Sequence, residues 1–182
     1  MTTEPQVELR ERIGGYITHN AAKSTEALRA LVERGHADLL AAFAGLSQEQ
    51  ATFKPAPDVW SVLQVLDHVV TAKRGVARIC VRLANGDVPP GTGQEGDAQG
   101  QDGITNRHFT SVEEAAAAAD VEQEALLAFI DSISSETNVE ARFTHFVFGA
   151  LNCREWAAFQ RVHDGDHLGQ IRQVLESAGF PQ

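Results

Sequence analysis

From Ser24 onward, apolar residues recur at three- and four-residue steps. Leu28, Leu31, Val32, Leu39, Leu40 and Phe43 form one stripe, which closes at Leu46-Ser47. That period predicts an amphipathic helix with one buried face. The following stretch, ATFKPAPDVW, carries two prolines that forbid a continuous helix. Ser61 and Gln64 then make the Ser-x-x-Gln pattern of a capping box. It opens a second helix over 62–84, with a stripe of Val62, Val65, Leu66, Val69, Val70, Ala72, Val76, Ile79, Cys80 and Leu83. A long loop is expected at 85–110, because 85–107 is rich in Gly, Pro, Gln and Asp and has no apolar period. Ser111 and Glu114 form a further capping box, and the Ala-rich helix behind it presents Ala115, Ala118, Ala119, Leu126, Phe129, Ile130 and Ile133. FTHFVFGALN reads as an extended connection. Asn152 with Glu155 starts a fourth helix, which Gly179 and Pro181 stop.

Four amphipathic helices without a convincing alternating strand predict an all-α fold, a four-helix bundle. Residues 1–22 are polar and weakly periodic. They read as an N-terminal arm in which Ile13, Tyr16 and Ile17 form a short helix against the bundle or a partner subunit. Residues 23–182 then make a single domain, a size for which an apolar fraction of 43% supplies one core.

Charge and composition narrow the setting. A net charge of -10, spread along the chain, repels phosphate backbones and argues against nucleic-acid binding. No apolar run approaches the roughly 18 residues of a membrane span, and MTTEPQVELRER lacks the basic-then-apolar order of a signal peptide. A cytoplasmic protein without membrane contact is the expectation. Cys80 and Cys153 lie on different helices and in no Cys-x-x-Cys pair, so they read as reduced packing residues.

The candidate chemistry sits in the fourth helix. In RVHDGDHLGQI, His163 and His167 are four residues apart, which places both imidazoles on one face, one turn from each other. Two ring nitrogens can then reach one ion, and a third ligand is needed. His68 is the natural candidate: it lies among Leu66, Val69 and Val70, where an unpartnered imidazole is costly to bury. Its alternative is a core-edge histidine hydrogen-bonded to a carbonyl or carboxylate. Three neutral imidazoles suit zinc, nickel, iron or copper and leave coordination positions open. Asp164, three residues before His167, is a candidate to orient a ligand or act as a base. Gln170, three residues after His167, is a candidate to bond substrate or metal-bound water. Asp166 should point elsewhere. Gly165 and Gly169 suggest a close approach by another helix or a ligand. His36 falls on the inward stripe of the first helix, and His145 lies in the connection before the fourth; for both, a satisfied structural histidine is the plainer reading. His19 and His108 look peripheral. Trp60 and Trp156 read as anchors at two helix starts.

Two segments, VWSVLQVLDHVV and FGALNCREWAAFQRVHDGDHLGQI, resemble in order the motifs of the DinB/YfiT-like superfamily of metalloenzymes. The resemblance spans about 24–178, with only those two segments specific. It implies a four-helix bundle, commonly a homodimer, with a divalent metal on His68, His163 and His167. Zinc or nickel heads the set, with iron, copper or manganese as further choices. It also implies a transferase acting on a small-molecule substrate with a low-molecular-weight thiol such as bacillithiol, mycothiol or glutathione. A metal-dependent hydrolase and a non-catalytic metal or small-ligand binder are the alternatives that the same three histidines allow.

Overall fold

The computed structural model describes residues 4–90 and 108–182. The element order is α1 (Glu4–Ala21), α2 (Thr25–Phe43), α3 (Gln48–Thr52), α4 (Val62–Ala84), α5 (Val112–Asp131), β1 (Phe143–His145), β2 (Gly149–Leu151) and α6 (Cys153–Leu175). The fold is all-α apart from one two-stranded hairpin. Helices α2, α6, α4 and α5 form a ring, each packed against the next, with α1 laid across α6. The N-terminal arm is therefore part of the body: Ile17 has no exposed surface, and Thr18 Oγ1 donates to Glu155 Oε1 at 3.1 Å.

The helix starts show why the local sequence folds as it does. Ser61 with Gln64 and Asn152 with Glu155 make complete capping boxes, satisfying N–H groups that the first helical turn leaves open. Ser47 with Gln50 makes another, so Ser47 begins the short α3 instead of merely ending the preceding segment. The box expected at Ser111 is only half built. Ser111 accepts from Glu114 N, but the Glu114 carboxylate turns back to accept from Thr110 N and Oγ1, both at 2.8 Å. Of the expected loop at 85–110, residues 91–107 lie outside the described residues.

The extended connection is a hairpin in the register Phe143↔Leu151, Thr144↔Ala150 and His145↔Gly149. Gly149 closes its three-residue loop at φ +75°, a left-handed conformation that favours glycine. Trp156 Nε1 donates to Phe143 O at 3.2 Å and ties the hairpin to α6.

The core divides into two apolar clusters. One holds Val32, Val76, Leu126 and Phe159; the other holds Leu39, Val69, Ala115 and Leu168. On each of the four bundle helices the residues between these sets include buried polar groups: His36 on α2, Lys73 on α4, Glu122 and Gln123 on α5, and Gln160, Asp164 and His167 on α6. A polar layer thus crosses the middle of the bundle.

Candidate metal centre

The capping box at Ser61 sets the phase of α4 so that Val65, Leu66 and Val69 enter the core, which leaves the neighbouring His68 at its edge, facing α6. On α6 the box at Asn152 does the same for His163 and His167. One nitrogen from each of His68, His163 and His167 lies within 4.8 Å of the others. The ring centroids are 5.3 Å apart for His68 and His163, 4.7 Å for His68 and His167, and 4.3 Å for His163 and His167. Nε2 of His163 and Nε2 of His167 are 3.1 Å apart. Two imidazoles on one tetrahedral zinc place their nitrogens about 3.3 Å from each other, given a zinc–nitrogen bond of roughly 2.0–2.1 Å. The observed pair therefore already has the spacing of two ligands of one ion.

Protonation favours the same use. Gln170 Oε1 lies 2.9 Å from Nδ1 of His167, and since an amide oxygen can only accept, Nδ1 carries the proton and Nε2 presents its lone pair to the centre. Burial, then the neighbouring His167 and His68, hold His163 well below the ordinary histidine range. Burial and His68 lower His167 as well, against the opposing pull of Gln170, Asp166 and Asp164. Neutral imidazoles are the metal-binding form. Nδ1 of His163 is sealed from solvent without a hydrogen-bond partner among the described residues. The donor set fits a divalent ion.

The three rings open onto a cavity of about 530 Å³. Its walls are Ile13 of α1, Ala72, Gly75, Val76 and Ile79 of α4, the hairpin residues 145–148, and Trp156, Phe159 and Val162 of α6, with Thr71 and Asp166 adding polar groups. Asp166 is the only Asp, Glu, Lys or Arg among these described lining residues.

The other candidates are placed in unequal ways. Asp164 does not enter this cavity: it has no exposed surface, pairs with the equally sealed Lys73 at 3.3 Å, and accepts from Gln160 Nε2 at 2.7 Å. Asp166, expected to point away, lines the cavity instead. One helical step of about 100° separates each aspartate from its histidine neighbour, and the step from His167 back to Asp166 points to the open side. Gln170 bonds a histidine and lines a separate pocket with Trp60, whose ring lies 5.4 Å from that of His68, so both act as supports behind the centre. His36 is drawn into the Lys73 cluster: Lys73 Nζ donates to His36 Nδ1 at 3.1 Å, and His36 Nε2 donates to Asp120 Oδ1 at 2.8 Å. His145 does face the site. Gly165 and Gly169 have no close neighbour beyond an Arg161 nitrogen at 3.4 Å from the first, and nothing in the structure explains either glycine. The close approach is at Gly35, where a Cβ would meet Arg161 Cδ at 2.8 Å as α2 crosses α6.

Sequence reasoning missed Lys73. Its signal was a cation on the apolar stripe of α4, three residues after Val70 and three before Val76.

Residues 31–171 match the DinB superfamily, a span that includes all three histidines. The chain belongs to the DinB superfamily. Among curated proteins it is similar to the uncharacterized protein YuaE of Bacillus subtilis (strain 168), with 27% identity over 143 residues, covering 72% of this chain and 87% of the relative. No solved structure matches. Among the described residues, no helix of this DinB-superfamily chain is long and apolar enough to cross a membrane.

Proposed function

We propose that this chain holds one divalent cation on His68, His163 and His167 and acts as a thiol S-transferase, joining a low-molecular-weight thiol to a small electrophile in the adjoining cavity. The observation that carries the reading is the convergence of three imidazoles on the wall of a largely apolar cavity. A cation bound there would supply Lewis acidity, lowering the pKa of a thiol or a water placed beside it. The chain's own residues supply the rest. Gln170 fixes the tautomer of His167 and Trp60 backs His68. The aromatic and aliphatic walls exclude bulk water from the electrophile and hold it against the centre. In the transfer the thiol proton passes to the Asp166 carboxylate or to solvent, a sulfur–carbon bond forms, and the leaving group departs with its electron pair.

A hydrolase is the second reading, favoured by the same carboxylate. Asp166 at the cavity wall can take a proton from water as readily as from a thiol, and the lining offers no Lys or Arg to attract an anionic thiol among the described residues.

Metal analysis of purified protein beside His68→Ala and His163→Ala tests the centre. The parent is expected to carry about one ion per chain, and both variants should lose it. Stoichiometric metal in either variant would overturn the site. Loaded protein should then consume thiol and electrophile in equal amounts. Electrophile loss independent of thiol points to the hydrolase, and turnover that survives metal removal sinks both.

A further inference from the structure

His145 is bound in a way the proposed chemistry does not use. It ends β1 and lines the cavity, with 5% of its surface exposed. Nδ1 accepts from two backbone amides of the hairpin loop, Val147 N at 3.1 Å and Phe148 N at 3.3 Å. Two amide donors on one nitrogen require a lone pair there, so the neutral ring carries its proton on Nε2. That nitrogen is not among the sealed, partnerless atoms and makes no hydrogen bond within the described residues, so it keeps access to the cavity. The ring cannot easily turn: the rings of Phe159, Phe146, Phe148 and Trp156 surround it at centroid distances of 4.4, 4.7, 5.0 and 5.2 Å. Burial holds His145 down to about 4, which keeps it uncharged at neutral pH.

The hairpin therefore presents one fixed, uncharged N–H donor to the mostly apolar cavity that the three imidazoles also line. A donor of this kind suits a neutral acceptor oxygen, and the surrounding aromatic rings suit a planar apolar body. We propose that His145 orients the ligand of this cavity by donating from Nε2 to a carbonyl-type oxygen on an otherwise uncharged, apolar molecule. The inference rests on the cavity being the ligand site of the proposed centre. It makes His145 a binding group separate from the metal ligands.

The test is a matched pair of probes, acetophenone and ethylbenzene, which differ by the carbonyl. Binding is measured calorimetrically on protein as purified and again with chelator. One neutral hydrogen bond predicts about a fivefold preference for the ketone. His145→Asn keeps a side-chain oxygen to accept from the loop amides and pulls the remaining N–H donor back from the position of Nε2, so ethylbenzene affinity should persist while the preference falls toward one. His145→Phe should lose the preference too. Imidazole nitrogen NMR on the parent needs no variant: the proton should sit on Nε2, and its shift should move with acetophenone but not with ethylbenzene. A proton on Nδ1, no binding of either probe to the parent, or a preference retained by the asparagine variant would overturn the inference. A preference that vanishes with chelator yet survives His145→Asn assigns the carbonyl to the cation, which overturns the inference and leaves the metal centre standing. A preference that depends on His145 in protein that binds no metal does the reverse.

Discussion

Helix α6 carries two pairs of polar residues at four-residue spacing, and they solve burial in opposite ways. Gln160 and Asp164 face the bundle interior. Gln160 donates to Asp164, Asp164 pairs with Lys73, and Lys73 donates to Gln123 Oε1 at 3.0 Å and to His36, which reaches Asp120. Donors meet acceptors and a cation meets an anion. Burial lowers Lys73 while Asp164 holds it up, so the cluster has its own cation and anion, although Gln123 Nε2 and Gln160 Oε1 stay without hydrogen-bond partners among the described residues. His163 and His167, on the adjoining face, meet the imidazole of His68, and one ring nitrogen from each of the three lies within 4.8 Å of the others. Identical spacing thus gives a strut with its own ion pair in one case and a convergence of three bases that suits an outside cation in the other. The sign and type of the facing groups decide which, and spacing does not.

This contrast can be broken from either side. The largest effect is expected from Lys73→Met, which leaves Asp164 sealed and unpaired. Denaturant unfolding should show a loss of about 3–5 kcal/mol, with metal still bound by the folded fraction. A loss below about 1 kcal/mol would mean that the cluster is not a strut.

The converse variant, His163→Ala, should cost at least about 100-fold in metal affinity, since even outer supports of metal ligands are worth roughly 10–100-fold. The metal-free stability should move by no more than about 1 kcal/mol. A large stability loss without metal would erase the distinction between the two clusters.

Acid should act on the cavity side. The folded pKa of His145 is depressed to about 4 from an ordinary 6.5, so the unfolded chain binds more protons between those values. Its contribution is fully present above about pH 6.5 and is lost as pH falls through 4, on the order of 3 kcal/mol in all. His163 and His167 are lowered in the same direction. Melting followed from pH 7 to 4 in metal-free protein should show this decline, with a shallower slope for His145→Asn. Equal slopes would show that the hairpin histidine is not held neutral.

Gln170→Ala frees the tautomer of His167 and should weaken metal binding by about 10–100-fold without unfolding the chain. Titration with zinc in a competing chelator reads this directly, and unchanged affinity would remove Gln170 from the support of the centre.

Much of this was legible along the chain. The helical period gave the bundle, and the boxes at Ser61 and Asn152 began α4 and α6 where expected. The motif containing His163 and His167 lies on one face of α6 as its spacing requires. Other features could not be read in one dimension. Ile13 was expected on a short helix against the bundle or a partner, but its place in the wall of the cavity depends on where α1 crosses α6. Asp164 looked like a partner for His167, and only the presence of Lys73 on a separate helix turned it into half of a buried ion pair. His145 looked like an ordinary loop histidine, because the register that bends the hairpin over α6 has no signature in FTHFVFGALN.

The sequence alone determined which residue types share a helical face, since 3.6 residues per turn is a local property of the backbone. Whether those faces would meet a charge of opposite sign, another base or open space was decided by packing. Contacts between α2, α4 and α6 join residues far apart in the chain, and the energy of a buried polar group depends on the partner it meets there.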